Sequence, residues 1–582
     1  MMKTRWSDDA LNGFFADEYP RPQLQRENWS SLNGLWQYAI TDADAPCPKA
    51  MDGDIRVPFS PESLLSGVKR SLQFGQALWY KRSFSSPVCN KKERVLLHFG
   101  AVDQTCMVYL NGVEIGSHAG GYWPFHFDIS AHMKAAENTL TVRVLDTSDM
   151  GDEAYGKQKT KRGGIWYTPQ SGIWQTVWLE CVPENHVASL LITPDYDGAA
   201  VDISVQMAMP EATVEITAQI FDAGQIVSEA ILTDGHVCIP LENFKSWSPD
   251  DPFLYDIVIT AGEDSVKSYF GMRKFSTVVD KGGHPRLALN NRPIFHNGLL
   301  DQGYWSDGLY TSPCDAAMAW EISELKRLGF NMLRKHIKIE PLRWYYHCDR
   351  IGMLVWQDFV SGGGPYSPLV IQALPFAGFR LKDSHYGLFG RKSEKGRAVF
   401  QRDMRRTIGL LQNTVSLCTW VPFNEGWGQF DAARIAKEVK ALDSTRHIDH
   451  ASGWHDQRAG DFHSPHVYFV PFKLKRDRFR RVDILSEFGG YSCPTEGHMF
   501  SAKLFGYKMC KSEAELAAAY KKLYEKEILP AVAQGLSASV YTQVSDVEEE
   551  INGLFTYDRE KLKLPEELLI DVNKQLTLSI ED

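Results

Sequence analysis

Hydrophobic and polar positions alternate with a period of two through much of the first half of the chain. Leu140-Thr141-Val142-Arg143-Val144 alternates strictly, and Val95-Leu96-Leu97-His98-Phe99 is also strand-like. Met107-Val108-Tyr109-Leu110 and Val113-Glu114-Ile115 flank Asn111-Gly112, the pair that supplies both positive φ angles of a type I′ turn, and so predict a hairpin. Short strands at this spacing predict a β-sandwich ending near residue 182. Residues 183–276 continue in the same style with Ala188–Ile192, Val201–Val205 and Val214–Ala218, a length that suits one immunoglobulin-sized sandwich closing at Tyr269–Arg273.

From residue 277 the period changes, and strands alternate with helices as in a parallel α/β fold. Eight strands are expected: Pro293–Gly298, Asn331–His336, Met353–Asp358, Val415–Phe423, His447–Ala451, His466–Phe469, Val482–Ser486 and Ala538–Gln543. Between the first two, Ser312-Pro313 is read as opening a helix that carries Met318, Ile322 and Leu325 on one face and ends at Gly329. Ser512 with Glu515 reads as a capping box before a helix bearing Leu516, Tyr520 and Leu523. Eight such strands in about 300 residues fit a TIM barrel over residues 277–582.

Composition narrows the function classes. The 582 residues are 43% hydrophobic and 23% charged, as in globular proteins, and exceed one core. A net charge of −10 argues against a nucleic-acid surface. The 16 Trp and 23 Tyr suit large cores or sugar-stacking platforms, which composition does not separate. Ten Cys lie scattered without a CxxC pair, and Cys106 and Cys418 sit in apolar segments. Reduced, buried thiols are the expectation. With no signal-like N-terminus and no long apolar run, the expected compartment is the cytoplasm, with no membrane partner.

Two glutamates stand out in the barrel. Glu425 lies in Val421-Pro422-Phe423-Asn424-Glu425-Gly426-Trp427-Gly428, and Glu487 in Ile484-Leu485-Ser486-Glu487-Phe488-Gly489-Gly490. Each ends an apolar run on the predicted fourth and seventh strands. Burying a carboxylate is costly, and strand C-termini are where barrel chemistry sits. Two carboxylates facing one cleft can cleave a glycosidic bond; a structural ion pair is the bland alternative at each position. The chain as a whole resembles glycoside hydrolase family two, the β-galactosidase and β-glucuronidase family. The resemblance rests on Leu32-Asn33-Gly34-Leu35-Trp36, Gly163-Gly164-Ile165-Trp166 with Ser171-Gly172-Ile173-Trp174-Gln175, Phe270-Gly271-Met272-Arg273-Lys274-Phe275, Asn424-Glu425 and Glu487-Phe488-Gly489. It implies an N-terminal sugar-binding-type jelly-roll sandwich over 1–182, an immunoglobulin-like sandwich over 183–276 and a catalytic TIM barrel over 277–582.

The resemblance assigns Glu425 as acid/base and Glu487 as nucleophile, with the neighbouring negative charge of Glu487 expected to keep the proton on Glu425. Asn424 is expected on the sugar 2-hydroxyl, Arg334 beside Glu487, His336 nearby and Tyr468 as donor to the nucleophile. Asp301, Asp358, Trp454, His455, Tyr541 and Gln543, at or past strand ends, are pocket-wall candidates. Trp123 is read either as reaching the pocket or as packing. The run His447, Asp449, His450, His455, His463 and His466 invites a metal reading, but neither an HxH pair at the first strand nor HExxH is present, so no metal ligands and no required cofactor are expected; magnesium and homo-oligomerisation are left open. The expected function is a retaining exo-glycosidase on small carbohydrate substrates, β-galactosidase-type by default. β-Galactofuranosidase or α-L-arabinofuranosidase is the alternative, and a carbohydrate-binding protein the non-enzymatic one. Glucuronidase activity is disfavoured because the family's Asn-x-Lys pair after strand eight is replaced here by Glu549-Glu550-Ile551-Asn552-Gly553, whose glutamates would repel a uronate.

Overall fold

The computed structural model describes residues 2–12, 18–90, 92–211 and 214–581. The first sandwich packs a six-stranded sheet on a four-stranded one. Trp36, Leu78, Tyr80, Val108 and Val142 of the larger sheet bury against Leu97, Phe99, Val177 and Leu179 of the smaller. The hairpin forms as expected between Thr105–Leu110 and Val113–Ala119, with Asn111 at φ 54° and Gly112 at φ 86°. One expectation fails here. Cys89 and Cys181 are joined as a disulfide, their Cα atoms 5.7 Å apart across 92 residues of sequence. Pairing of Glu93–Phe99 with Val177–Pro183 brings the two together, and no local spacing announces it. Cys106 and Cys418 are buried free thiols.

The second sandwich stacks a three-stranded sheet (Val187–Asp195, Ala200–Met207, His236–Pro240) on a four-stranded one (Ile216–Asp222, Gln225–Ile231, Tyr255–Ala261, Asp264–Phe270). The strand expected from Val214 begins at Ile216. Arg26 ties the sandwiches together. It reaches both oxygens of Asp264 in the second (3.0 and 2.8 Å) and Glu180 in the first (3.3 Å), with all three buried.

The barrel strands are His296–Asp301, Met332–Lys335, Leu354–Asp358, Leu417–Val421, His447–Ile448, His466–Val467, Leu485–Gly489 and Ala538–Thr542. They form one parallel sheet in sequential order, with first and eighth paired. Single backbone hydrogen bonds, Asp461 N–H to Ile448 O (2.9 Å) and Gly453 N–H to Ser464 O (2.8 Å), cross between the fifth and sixth strands. Inside, Leu300, Met332, Leu354, Trp356, Val421, Ile484 and Val540 fill the lumen, closed below by Phe275, Leu287 and Leu289 of a small connecting sheet. Outside, Leu299, Leu333, Val355, Leu417 and Leu485 meet the helices. Both faces are apolar, which is why these strands read as continuous hydrophobic runs.

The helix expected at Ser312-Pro313 instead spans Asp315–Arg327, with Cys314 at its N-cap, so the proline precedes it; Gly329, at φ 92°, follows its end as expected. Ser512 caps Glu513–Leu523 by accepting from the Glu515 N–H, whereas the Glu515 carboxylate returns to Lys511 N–H rather than to Ser512. No helix among the described residues is long and apolar enough to cross a membrane.

Removing one partner of a buried ion cluster costs about 3–5 kcal/mol, because the remaining charges stay buried. Arg26→Ala is therefore expected to lower the midpoint of the earliest calorimetric unfolding transition. An unchanged thermogram would show that the sandwiches do not depend on this residue.

Candidate active site

The C-terminal ends of the barrel strands converge on a buried guanidinium. Arg334 is fully enclosed and makes its short hydrogen bonds to four groups. Nε and Nη2 form a fork with the two Asp358 oxygens (3.0 Å each), Nη2 also donates to Asn424 Oδ1 (2.7 Å), and Nη1 donates to Glu487 Oε1 (3.1 Å) and to the Ser486 carbonyl (3.1 Å). Asp358 also binds His336 Nδ1 at 2.6 Å.

Glu487 owes its direction to a bulge. Leu485 pairs with Ser539 and Phe488 with Tyr541, so strand seven carries one extra residue over this stretch. Leu485 and Phe488 both pack outward, and Ser486 and Glu487 both turn into the lumen. Such a bulge re-aims a side chain without breaking the sheet. Glu425 lies beyond strand four in a turn, at φ 50°, where Trp427 N–H returns to Asn424 O (2.8 Å).

The two carboxylates share one histidine. His466 Nδ1 is 2.8 Å from Glu425 Oε1 and 3.4 Å from Glu487 Oε2, and the three ligand-type atoms lie within 4.8 Å of one another. Arg334 Nη1 faces His466 Nε2 at 3.5 Å, so Nε2 accepts and Nδ1 carries the proton that bonds the carboxylates. Burial lowers the imidazole to about 4, so the ring is neutral at neutral pH. Tyr468 donates to Glu487 Oε2 at 2.5 Å and stacks on Tyr507 with centroids 4.1 Å apart.

Burial raises Glu425 to about 7, with Lys157 and Arg334 pulling it down. The proton is therefore held by desolvation, and the expectation that the charge of Glu487 does this is corrected. Glu487 is raised as well, by burial first; Glu425 adds to the rise, while His466, Arg334 and Tyr468 favour the ionised form.

The pocket-wall candidates divide. Trp454 and Gln543 bring buried polar atoms without protein partners to this region, Trp454 Nε1 beside the His466 ring (5.5 Å between centroids) and Gln543 Oε1; Asn424 Nδ2 is likewise unpaired. Asp358 serves the site through Arg334 and His336. Three candidates do not belong. Asp301 faces the helix layer, bound by Lys335 Nζ at 2.6 Å, because Leu300 before it points inward. Tyr541 lies outward by the same alternation, packed on Phe488 and Tyr520. His455 uses both ring nitrogens on the 370–381 loop, accepting from Leu381 N–H (3.1 Å) and donating to Val370 O (2.8 Å). Trp123 packs, its indole N–H on Thr407 Oγ1 at 3.0 Å. The argument from repelling glutamates also changes: Glu549 pairs with Lys503 (3.1 Å), and Glu550 accepts from Tyr167 and from Asn552 (2.9 Å).

Several site residues went unnoticed in the sequence. His466 was grouped with a metal-like run, and Trp427 passed as part of the Glu425 motif. Lys157, Trp166 and Tyr167 come from the first sandwich, whose loop docks on the barrel through Tyr155 N–H and Gly156 N–H to Ser361 O (3.0 Å each) and Arg162 to Glu548 (3.0 Å). Trp166 lies in the Gly163-Gly164-Ile165-Trp166 motif, but no local pattern marks Lys157 or points this loop at the barrel.

The chain is thus a parallel barrel preceded by two sandwiches, with two inward glutamates linked by one histidine. Residues 71–183 match the model for the sugar binding domain of glycosyl hydrolases family 2, and residues 185–273 match the model described as glycosyl hydrolases family 2. Residues 71–273 of this chain, ahead of the barrel, are thus similar to glycosyl hydrolases family 2. The chain is 25% identical over 303 residues to a β-galactosidase of Thermoanaerobacter pseudethanolicus, covering 48% of this chain and 39% of that one. It is 27% identical over 382 residues to the β-galactosidase large subunit of Latilactobacillus sakei, covering 63% and 57%. The chain thus spans less than two thirds of the length of these curated relatives. Among solved structures, a β-D-glucuronidase of Dictyoglomus thermophilum superposes with TM-score 0.74 at 18% identity over 96% of this chain and 98% of that one. A β-galacturonidase of Eisenbergiella tayi superposes with TM-score 0.70 at 17% identity over 96% and 99%. These likenesses show the fold.

A carboxyl whose folded pKa is raised makes its full contribution below the unfolded value of 4.5, and that contribution is lost as pH rises through about 7. With its side chain 13% exposed, Glu425 costs the native state on the order of 1–3 kcal/mol above that range. Glu425→Gln is expected to raise the melting temperature at pH 8 and to leave it unchanged at pH 4. A gain of equal size at both pH values would locate its cause elsewhere.

Proposed function

We propose that the protein is a retaining exo-β-glycosidase working by double displacement. The observation that carries this reading is the pair of inward carboxylates, whose nearest oxygens lie within 4.8 Å of each other and of a shared His466 nitrogen, with Glu425 raised to about 7 by burial. Retaining enzymes need their carboxyl groups about 5–5.5 Å apart, close enough for direct attack and too close for an intervening water. Glu487 attacks the anomeric carbon while Glu425 delivers its proton to the leaving oxygen. Water then attacks the anomeric carbon, giving its proton to Glu425 as its oxygen bonds to the sugar and the glycosyl–Glu487 bond breaks. As Glu425 becomes anionic in the first step, the His466 Nδ1–H is already aimed at it, so the new charge meets a fixed donor. Arg334 and Tyr468 hold the Glu487 oxygens in place for attack.

Asn424 Oδ1 is fixed by Arg334, which leaves its unpaired Nδ2 free to bind the 2-hydroxyl. The names of the relatives cover galacto- and gluco-configured sugars and their uronic acids, and we infer a glycone of that set, with the galacto series as default. No feature of the pocket favours a furanoside. A purely carbohydrate-binding role would not call for a bulge that turns a carboxylate toward a second one.

A fluorosugar glycoside that slows deglycosylation is expected to add one glycosyl mass to the intact protein, mapping to Glu487, and Glu487→Gln should add none. Labelling elsewhere would refute the assignment. Glu425→Gln is expected to lose about 10²–10⁴-fold in rate on alkyl glycosides and far less on nitrophenyl ones, whose leaving group needs little protonation. Wild-type kcat/KM should fall as pH rises above about 7, where Glu425 loses its proton. A rate flat across that range would show that Glu425 is not the acid.

A further inference from the structure

Every buried lysine and arginine among the described residues is held by hydrogen bonds except one. Lys335 binds Asp301 and Glu340, Lys338 binds Glu340 and two carbonyls, and Lys563 binds Asp546 and the Ile551 carbonyl. Lys157 is only 4% exposed, yet its ammonium makes neither a hydrogen bond nor an ion pair with any described residue. Its neighbours are aromatic faces: Trp427 at 4.7 Å, Trp166 at 5.6 Å and Tyr167 at 5.7 Å from ring centroid to Nζ. Cation–π contacts offset part of the desolvation of the ammonium but satisfy none of its three donors.

The placement of this lysine is built into the backbone. Gly156 before it sits at φ 61°, and a Cβ there would stand 2.7 Å from the Ile337 carbonyl of the barrel, so only glycine lets the sandwich loop press this close. Tyr167 N–H then fixes the Lys157 carbonyl at 3.0 Å. Trp427, under the ammonium, is two residues past Glu425, and the charges of Glu550, Glu487 and Glu425 all act on Lys157. Glu550, the nearest rival for the role of counter-ion, is engaged by Tyr167 and Asn552 and forms no ion pair with Lys157. Lys157 is thus a buried, unpaired cation on the ring of Trp427 in the Glu425 turn. In an exo-acting site the leaving group departs toward solvent, so a buried group such as this one meets the glycone.

Resting on the retaining-glycosidase reading, we propose that Lys157 recognises a carboxylate on the glycone, so that the preferred substrates are β-hexuronides. A carboxylate supplies the missing counter-ion and accepts two of the free donors, whereas a neutral hydroxymethyl group leaves the charge unpaired. The site for the anion would thus be lent to the barrel by the sandwich, in place of a lysine after strand eight.

The test compares nitrophenyl β-galactopyranoside, β-galacturonide and β-glucuronide on wild type, Lys157→Met and Lys157→Gln. At least one uronide is expected to exceed the galactoside in kcat/KM, and both variants to lose about 10–100-fold more on it than on the galactoside. Calorimetric titration with free galacturonate against galactose should show the same dependence on Lys157 without turnover. Preference for the galactoside in wild type, or equal losses on all three substrates, overturns the proposal. If no glycoside of any kind is cleaved, the glycosidase reading fails first and takes this one with it.

Discussion

A single guanidinium organises the catalytic end of the barrel. Arg334 is enclosed, and its charge is tolerable only because Asp358 and Glu487 lie against it and two further oxygens accept from it. The constraint runs both ways. Asp358, Asn424 and Glu487 come from strands three, four and seven, and each is oriented by the same fork. Burial of one cation thereby sets the relative positions of Glu487, of Asn424 beside Glu425, and of Asp358, the anchor of His336. A lysine could supply the charge but not the planar fork that fixes several acceptors at once.

Much of this was legible in the sequence because the barrel strands are apolar on both faces and end in polar residues. Glu425, Glu487, Arg334 and Tyr468 could be placed at one end of the sheet by counting strands. The misplaced candidates share a cause. Asp301 and Tyr541 lie at strand ends, but alternation along the strand sends them to the helix layer, as the inward Leu300 and Val540 beside them indicate. His455 lies past a strand end and was lost to loop packing. Lys157, by contrast, was illegible in principle. Nothing in residues near it tells that its loop crosses to another domain, just as nothing near Cys89 tells of Cys181.

The two sandwiches are therefore not passive supports. The first closes the pocket with Lys157, Trp166 and Tyr167, and the second is bolted to the first through Arg26 and to the barrel through Trp247, whose indole N–H meets the Asp349 carbonyl at 2.7 Å. In the proposed function the reaction type belongs to the barrel and discrimination among sugars to a loop that the barrel does not encode, so the two could change independently in sequence.

The extra residue in strand seven has a wider meaning. Side-chain direction in a strand is a matter of parity, and the bulge between Leu485 and Phe488 inserts one step into that count. Two inward side chains, Ser486 and Glu487, therefore stand where a regular ladder holds one. Loss of Ser486 would restore the ladder with Glu487 still facing the lumen, and loss of Glu487 would restore the same ladder with a hydroxyl in place of the carboxylate. A descendant could become a sugar-binding protein through a single in-frame codon loss, with its fold and its hydrophobic interior intact.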